Sequence, residues 1–155
     1  MKRLVGAGLL VLAAAVFCCA AYPPVLIEVL PQEVPSIVAQ RVFIAKVVSG
    51  DTVAVQTKEG AVNCVLYGLH APGGRWGIKA RDYLQWRVEQ RYCEIEIVGR
   101  DRYNRAMLRL YSGGADIGLS MMALGLAHAS YPTDPVFVLT EAAAQKREIG
   151  MWGKK

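Results

Sequence analysis

A chain of 155 residues suffices for one domain around a single core and is too short for two ordinary ones, so one site is the expectation. Its 18 Lys and Arg against 13 Asp and Glu leave a modest basic excess. That excess is compatible with polyanionic partners but is common among ordinary domains, which makes its distribution more informative than its size. The apolar share of 54% is partly explained at the start of the chain, where Leu4 to Ala21 carries no charge and follows Lys2 and Arg3. A basic start, an apolar middle and the small pair Ala20-Ala21 before Tyr22 have the layout of a secretory signal over residues 1–21, and thus of an exported protein, periplasmic or extracellular. An uncleaved membrane anchor is the competing expectation, since 18 apolar residues reach the lower limit for spanning a bilayer. Lipidation at Cys18 or Cys19 is disfavoured by the bulk of Phe17. Residues 22–40 follow, with Pro23, Pro24, Pro31 and Pro35 forbidding a regular helix, and read as an extended lead segment before a domain over 41–155.

From Val42 the pattern becomes strand-like: Val42 to Val48, Thr52 to Gln56 and Ala61 to Tyr67, separated by Ser49-Gly50-Asp51 and Lys58-Glu59-Gly60. Between Gly77 and Arg91 the residues Ile78, Tyr83, Leu84, Trp86 and Val88 alternate with charges and predict an amphipathic helix. Cys93, Ile95 and Ile97 alternate with Glu94 and Glu96 as a half-buried strand does, and Ala106 to Tyr111 supplies a fifth after a turn over Gly99 to Asn104. A short helix is expected over Asp116 to Ala127. A last helix is expected from about Val136 to Ile149, capped by Thr133 or Asp134 and stopped by Gly150. Five strands, one helix between the third and fourth and two helices at the end describe an α+β domain: a five-stranded OB-type β-barrel with three helices, whose mouth commonly holds oligonucleotides. Beyond the leader only Cys64 and Cys93 remain, and sequence leaves open whether they are buried thiols or a disulfide. Nine of the basic residues fall between Arg75 and Arg109, whereas 22–40 has no Lys or Arg, so the middle of the chain is its electropositive part.

Three runs carry more than pattern: Ser49-Gly50-Asp51-Thr52-Val53, Leu66-Tyr67-Gly68-Leu69-His70-Ala71-Pro72 and Asp101-Arg102-Tyr103-Asn104-Arg105. In order and spacing they resemble the thermonuclease (staphylococcal nuclease-like) family, and the likeness extends through Gly125-Leu126-Ala127 and the Ala-rich segment ending in Gly150-Met151-Trp152. The resemblance implies a calcium-dependent phosphodiesterase in which two aspartates hold the ion, a glutamate directs the attacking water and two arginines bind the phosphate. A cation and guanidinium groups neutralise the charge that develops on the phosphate oxygens.

Carried over residue by residue, the resemblance gives Asp51 the first metal position, with a plain hairpin turn as the other reading of Ser49-Gly50-Asp51. The second metal aspartate falls on His70, the glutamate on Gly73 and the first arginine on Val65. A hard cation prefers oxygen donors, so His70 replaces an aspartate poorly. Arg105 takes the role of the arginine at the scissile phosphate, the catalytic position that is kept. Arg102 and Tyr103 are expected to contact a terminal phosphate, and Tyr131 to lie against a nucleotide, as a ring tolerant of any base does. Asn104 replaces a glycine but tolerates a left-handed turn. Gly118 stands where the family has a structural asparagine, which is expected to loosen the tie between the last helices and the barrel.

The leading expectation is therefore an exported, monomeric thermonuclease-like domain with hydrolysis lost or weakened. It needs no cofactor, or calcium if active, and at most binds single-stranded nucleic acid or another anion. A second reading is an active nuclease with a rearranged site using Arg105, Arg75 and His70, the last a residue whose proton exchanges near neutrality. A third is a structural or protein-binding module.

Overall fold

The structure, a computed structural model, describes residues 40–130 and 134–153. The expected leader, the lead segment up to residue 39, Thr133 and Tyr131 lie outside the described residues.

Three antiparallel strands open the domain: β1 (Gln40–Val47), β2 (Thr52–Thr57) and β3 (Gly60–Leu66). Two turns join them where the Ser-Gly-Asp and Lys-Glu-Gly clusters predicted breaks. In β1 the register shifts between Ile44 and Lys46, which lets Val42, Ile44 and Val47 all reach the core despite their uneven spacing. A two-residue strand β4 (Leu69–His70) follows, then helix α1 (Gly74–Val88), β5 (Arg91–Arg100) and β6 (Ala106–Ser112). The strands run in the order β3-β2-β1-β5-β6, and β6 closes back on β3 through a parallel pairing of Val65 with Met107 and Leu66 with Leu108. This is the expected closed barrel of five strands. The short β7 (Ala115–Asp116) and the pair of β4 with β8 (His128–Ala129), which flanks helix α2 (Ile117–Ala123), were not expected.

Helix α1 begins three residues earlier than its periodicity suggested. Gly77 must be glycine for this start, since a Cβ there would sit 2.3 Å from the Pro72 carbonyl oxygen. Its inward face is Ala80, Leu84 and Val88, at i, i+4 and i+8, while Ile78 and Trp86 point outward, contrary to a reading in which every apolar residue packs. The helix stops short of Arg91 because Gln90 takes a left-handed conformation (φ 56°) and donates its N–H to the Ile44 carbonyl, which feeds the chain into β5.

Helix α2 is capped by Asp116, whose carboxylate accepts from Leu119 N–H at 3.0 Å, and it ends at Ala123, four residues before the expected Ala127. Leu126 and Ala127 turn into the core instead. Helix α3 (Pro135–Lys146) starts with Pro135, and Asp134 occupies the cap position without capping; its carboxylate goes to Arg109 and to Tyr67. The helix ends before Ile149, and Gly150 opens a 3-10 turn, Gly150–Trp152. The requirement for Gly150 is close approach rather than a helix stop. A Cβ at Gly150 would lie 2.3 Å from the Leu124 oxygen and one at Gly125 2.2 Å from the Ile149 oxygen. Both glycines have φ near +62°, so the two backbones pack against each other and Met151 N–H donates to Gly125 at 3.0 Å.

The core gathers Ile44, Val53, Leu84, Leu108, Leu110, Met121 and Phe137 from the barrel and all three helices. Each such side chain stabilises the fold by about 1.5–3 kcal/mol relative to exposure. Gly118 sits within this packing. It is buried, and a Cβ there would lie 3.1 Å from Leu69 and 3.3 Å from Phe137, so its smallness admits the Phe137 ring. Cys64 and Cys93 are free thiols, both buried, and that burial pushes both pKa values up.

Candidate phosphate-binding site

The candidate site residues fall in two groups that are built differently, here called its two rims. On the first, the β1–β2 turn places Asp51 beside the end of β4. One Asp51 oxygen accepts from the Ser49 hydroxyl at 2.7 Å and the Thr52 hydroxyl at 3.0 Å; the other accepts from Ala71 N–H at 3.2 Å and lies 3.4 Å from His70 Nδ1. Burial pushes this carboxyl upward. The donors Ser49, Ala71 and Thr52, with His70 nearby, outweigh burial and hold it below the ordinary carboxylate range. Asp51 thus ties the β1–β2 turn to the segment after β4, which is the turn reading of Ser49-Gly50-Asp51. His70 is 70% exposed at its side chain.

On the second rim, the loop between β5 and β6 is organised by Asp101. One oxygen accepts from the N–H groups of Tyr103 and Arg105 at 2.9 Å each, and the other from Arg105 Nε at 2.8 Å, with Nη2 at 2.7 Å. Partial desolvation acts to raise this carboxyl, and the Arg105 and Tyr103 donors overcome it and lower the pKa. Asn104 takes the left-handed conformation (φ 64°) that the loop requires. The exposed Tyr103 ring has the Arg102 guanidinium at 4.8 Å and that of Arg105 at 5.4 Å from its centroid. Asp101 holds one edge of the Arg105 guanidinium, through Nε and Nη2.

The closing pairing links these rims through β3, where Thr52, next to Asp51, sits opposite Val65. Val65 on β3 sits opposite Met107 on β6, two residues from Arg105, so the gap between Asp51 and Arg105 is lined by an aliphatic side chain where the resemblance implies a guanidinium. Gly73, at the start of α1, offers no side chain.

Residues 45–154 match the family model for staphylococcal nuclease homologues. The chain belongs to that family. It is similar to an "uncharacterized endonuclease" of Haemophilus influenzae (30% identity over 114 residues, covering 70% of this chain and 64% of the relative). It is likewise similar to an "uncharacterized endonuclease" of Escherichia coli O157:H7 (28% over 117 residues, covering 70% and 74%). The chain therefore spans just under two thirds of the Haemophilus relative's length.

Calcium, the ion that membership in the staphylococcal nuclease homologue family implies, does not fit the residues present. Asp51 already accepts from three protein donors and contacts a fourth group, the partner position is an imidazole, and the described residues contain no group of three His, Cys, Asp or Glu placed to hold a metal.

Of the site residues named from sequence, Arg102, Tyr103 and Arg105 are brought together in one loop, and Asp51 with His70 in another place. Arg75 lies in the first turn of α1, 5.6 Å from the Trp76 ring. Two features were missed. Asp101 holds Arg105 in place, and its position four residues ahead of the arginine, in a turn, was the available signal. The pairing of His70 with His128 across β4 and β8 had none, because two-residue strands leave no periodicity to read. His128 itself turns to Glu141, with Nδ1 3.2 Å from the carboxylate, and meets the Trp152 ring edge-on.

Proposed function

We propose that this domain binds the phosphates of single-stranded nucleic acid, or another anion of like charge, on the Arg105–Tyr103 loop, and that its metal-dependent phosphodiester hydrolysis is lost or weakened. The observation that carries the reading is the contrast between an arginine presented outward by Asp101 and an Asp51 carboxylate occupied by Ser49, Thr52 and Ala71. Arg105 supplies charge-assisted hydrogen bonds to a phosphate and Tyr103 a ring beside it. Nothing at Gly73 takes a proton from water, and nothing at Val65 neutralises charge on the leaving oxygen. The reading extends to export with residues 1–21 as the leader, to a monomer, and to Tyr131 as a further contact. It is supported by the charge-free run after Lys2 and Arg3 and by the family match. Among the described residues no helix is long and apolar enough to cross a membrane.

One observation favours the second reading, an active nuclease with a rearranged site. Asp51 contacts His70 through Nδ1, which orients an exposed imidazole as a carboxylate orients a general base. The relatives' printed description as endonucleases points the same way. A nuclease zymogram with and without calcium, beside a titration of fluorescent single-stranded oligonucleotide, separates the two. Oligonucleotide binding weakened by Arg105→Ala, without cleavage, supports the proposal. Cleavage abolished by Arg105→Ala or His70→Ala overturns it in favour of the rearranged enzyme.

A further inference from the structure

Helix α1 spends side chains on its outer face that the fold does not need. Ile78 and Trp86 are 63% and 66% exposed. Lys79 Nζ lies 4.2 Å from the Trp76 ring centroid and the Arg75 guanidinium 5.6 Å from it, while Trp86 stands against Tyr83 at 6.2 Å and Arg87 at 5.5 Å. Arg75, Lys79 and Trp86 are separated by four and seven residues, so they fall within about 40° of one another around the helix and opposite the buried Ala80-Leu84-Val88 face. They form a stripe about 16 Å long. It begins directly after Gly73, on the segment that leaves the Asp51–His70 rim.

We propose that this stripe is a second contact surface for single-stranded nucleic acid, outside the nuclease site, with Arg75 and Lys79 on phosphates and Trp86 stacking on a base; it rests on the binding reading given above. Sequence-tolerant single-strand surfaces combine a basic track with aromatic platforms, and this helix carries both, with Arg75 and Lys79 one turn apart and Trp86 two turns further on. Exposed Asp82 lies on the same face between Lys79 and Trp86, which puts the phosphate contacts at the Arg75 end and the stacking contact at the Trp86 end. A lipid surface is a poorer occupant. A helix lying in a membrane interface has apolar residues at the centre of its buried face and cations at the edges, whereas here Lys79 sits centrally, over the Trp76 ring, and would be buried with it. Ile78 is at the stripe's edge.

The test compares the full chain with Arg75→Ala/Lys79→Ala and with Trp86→Ala, all at outward-facing positions, by anisotropy with a labelled single-stranded 12-mer and a dinucleotide at two salt concentrations. Removing two phosphate contacts is expected to weaken 12-mer binding five- to tenfold and to flatten the log–log salt slope by about 1.4. Trp86→Ala is expected to weaken it at least fivefold. Dinucleotide binding, which Arg105→Ala is expected to weaken about tenfold, is expected to stay at the wild-type value in both α1 variants. If wild type binds the 12-mer and both α1 variants match it, the surface is overturned while the nuclease-site reading stands. If wild type binds neither probe, both readings fall. Loss of binding to phosphatidylglycerol vesicles in the α1 variants, with 12-mer binding intact, overturns the proposal in favour of a membrane surface.

Discussion

The two rims of the site each centre on an aspartate whose carboxyl is held below its ordinary pKa by hydrogen bonds, yet they hold opposite things in place. Asp101 spends its oxygens on the Tyr103 and Arg105 N–H groups and on the Arg105 guanidinium, so its charge presents a cation to solvent. Asp51 spends its oxygens on Ser49, Thr52 and Ala71, so its charge holds two backbone segments together. The difference teaches that two carboxyls lowered in the same way can do different work. One aims a guanidinium and the other joins two backbone segments.

The comparison breaks most sharply if the first rim is rebuilt. The combined variant Val65→Arg/His70→Asp/Gly73→Glu restores the residue types that the family resemblance implies, on positions that are partly or fully exposed. It is expected to raise calcium-dependent hydrolysis of single-stranded DNA by at least about 10²-fold over wild type, the scale on which one missing transition-state donor acts. Equal activity in variant and wild type, by zymogram and fluorogenic assay, would show that the first rim was never the limiting defect. Next in size is Arg105→Ala, expected to weaken oligonucleotide binding about tenfold, the loss of roughly one charge-assisted hydrogen-bonded contact. Asp51→Asn is expected to leave that affinity within twofold, because Asp51 faces the turn. A binding defect in Asp51→Asn as large as that in Arg105→Ala would erase the distinction between the rims.

The barrel was legible because each strand had its own signal, from turn clusters at Ser49-Gly50-Asp51 and Lys58-Glu59-Gly60 to the alternation of Cys93, Ile95 and Ile97. Element ends were less legible where the cause is tertiary. Gln90 leaves the helix to bond with Ile44, and Gly150 exists to meet Gly125 some 25 residues earlier in the chain, neither of which a local window contains. The outward placement of Trp86 was available from helical spacing, since at 100° per residue it falls about 200° from Leu84 and Val88, on the face opposite the buried one. In the site, the assignment of Val65, His70 and Gly73 to catalytic positions rests on the family resemblance and its spacing. The saturation of Asp51 could not be read that way, since Ala71 donates from across the β4 turn.

A smaller effect follows from Asp51's hydrogen bonds. Their loss in Asp51→Asn is expected to cost about 1–3 kcal/mol near neutral pH. The Asp51 pKa is depressed in the fold, so its contribution is fully present above its unfolded value and is lost as pH falls through the lower, folded one. Urea midpoints of wild type and Asp51→Asn are therefore expected to differ at pH 6 and to converge below about pH 4. A gap unchanged down to pH 3 would mean that the charge on Asp51 contributes nothing and that only its shape is needed.

The smallest expected effect is that of calcium itself on the wild-type melting temperature. An ion that binds the folded state alone stabilises it by RT ln(1 + [L]/Kd), about 2.7 kcal/mol at one hundred times Kd, which for a domain of this size moves the midpoint by several degrees. The Asp51 oxygens already accept from Ser49, Thr52 and Ala71, and His70 is a poor match for a hard cation, so 10 mM calcium is expected to shift the wild-type midpoint by less than about 1 °C. In Val65→Arg/His70→Asp/Gly73→Glu the same addition is expected to produce the larger shift. A shift of several degrees in wild type, absent with Asp51→Asn, would show that calcium displaces the Ser49 and Thr52 hydroxyls from Asp51, and the first rim would then be a latent metal site.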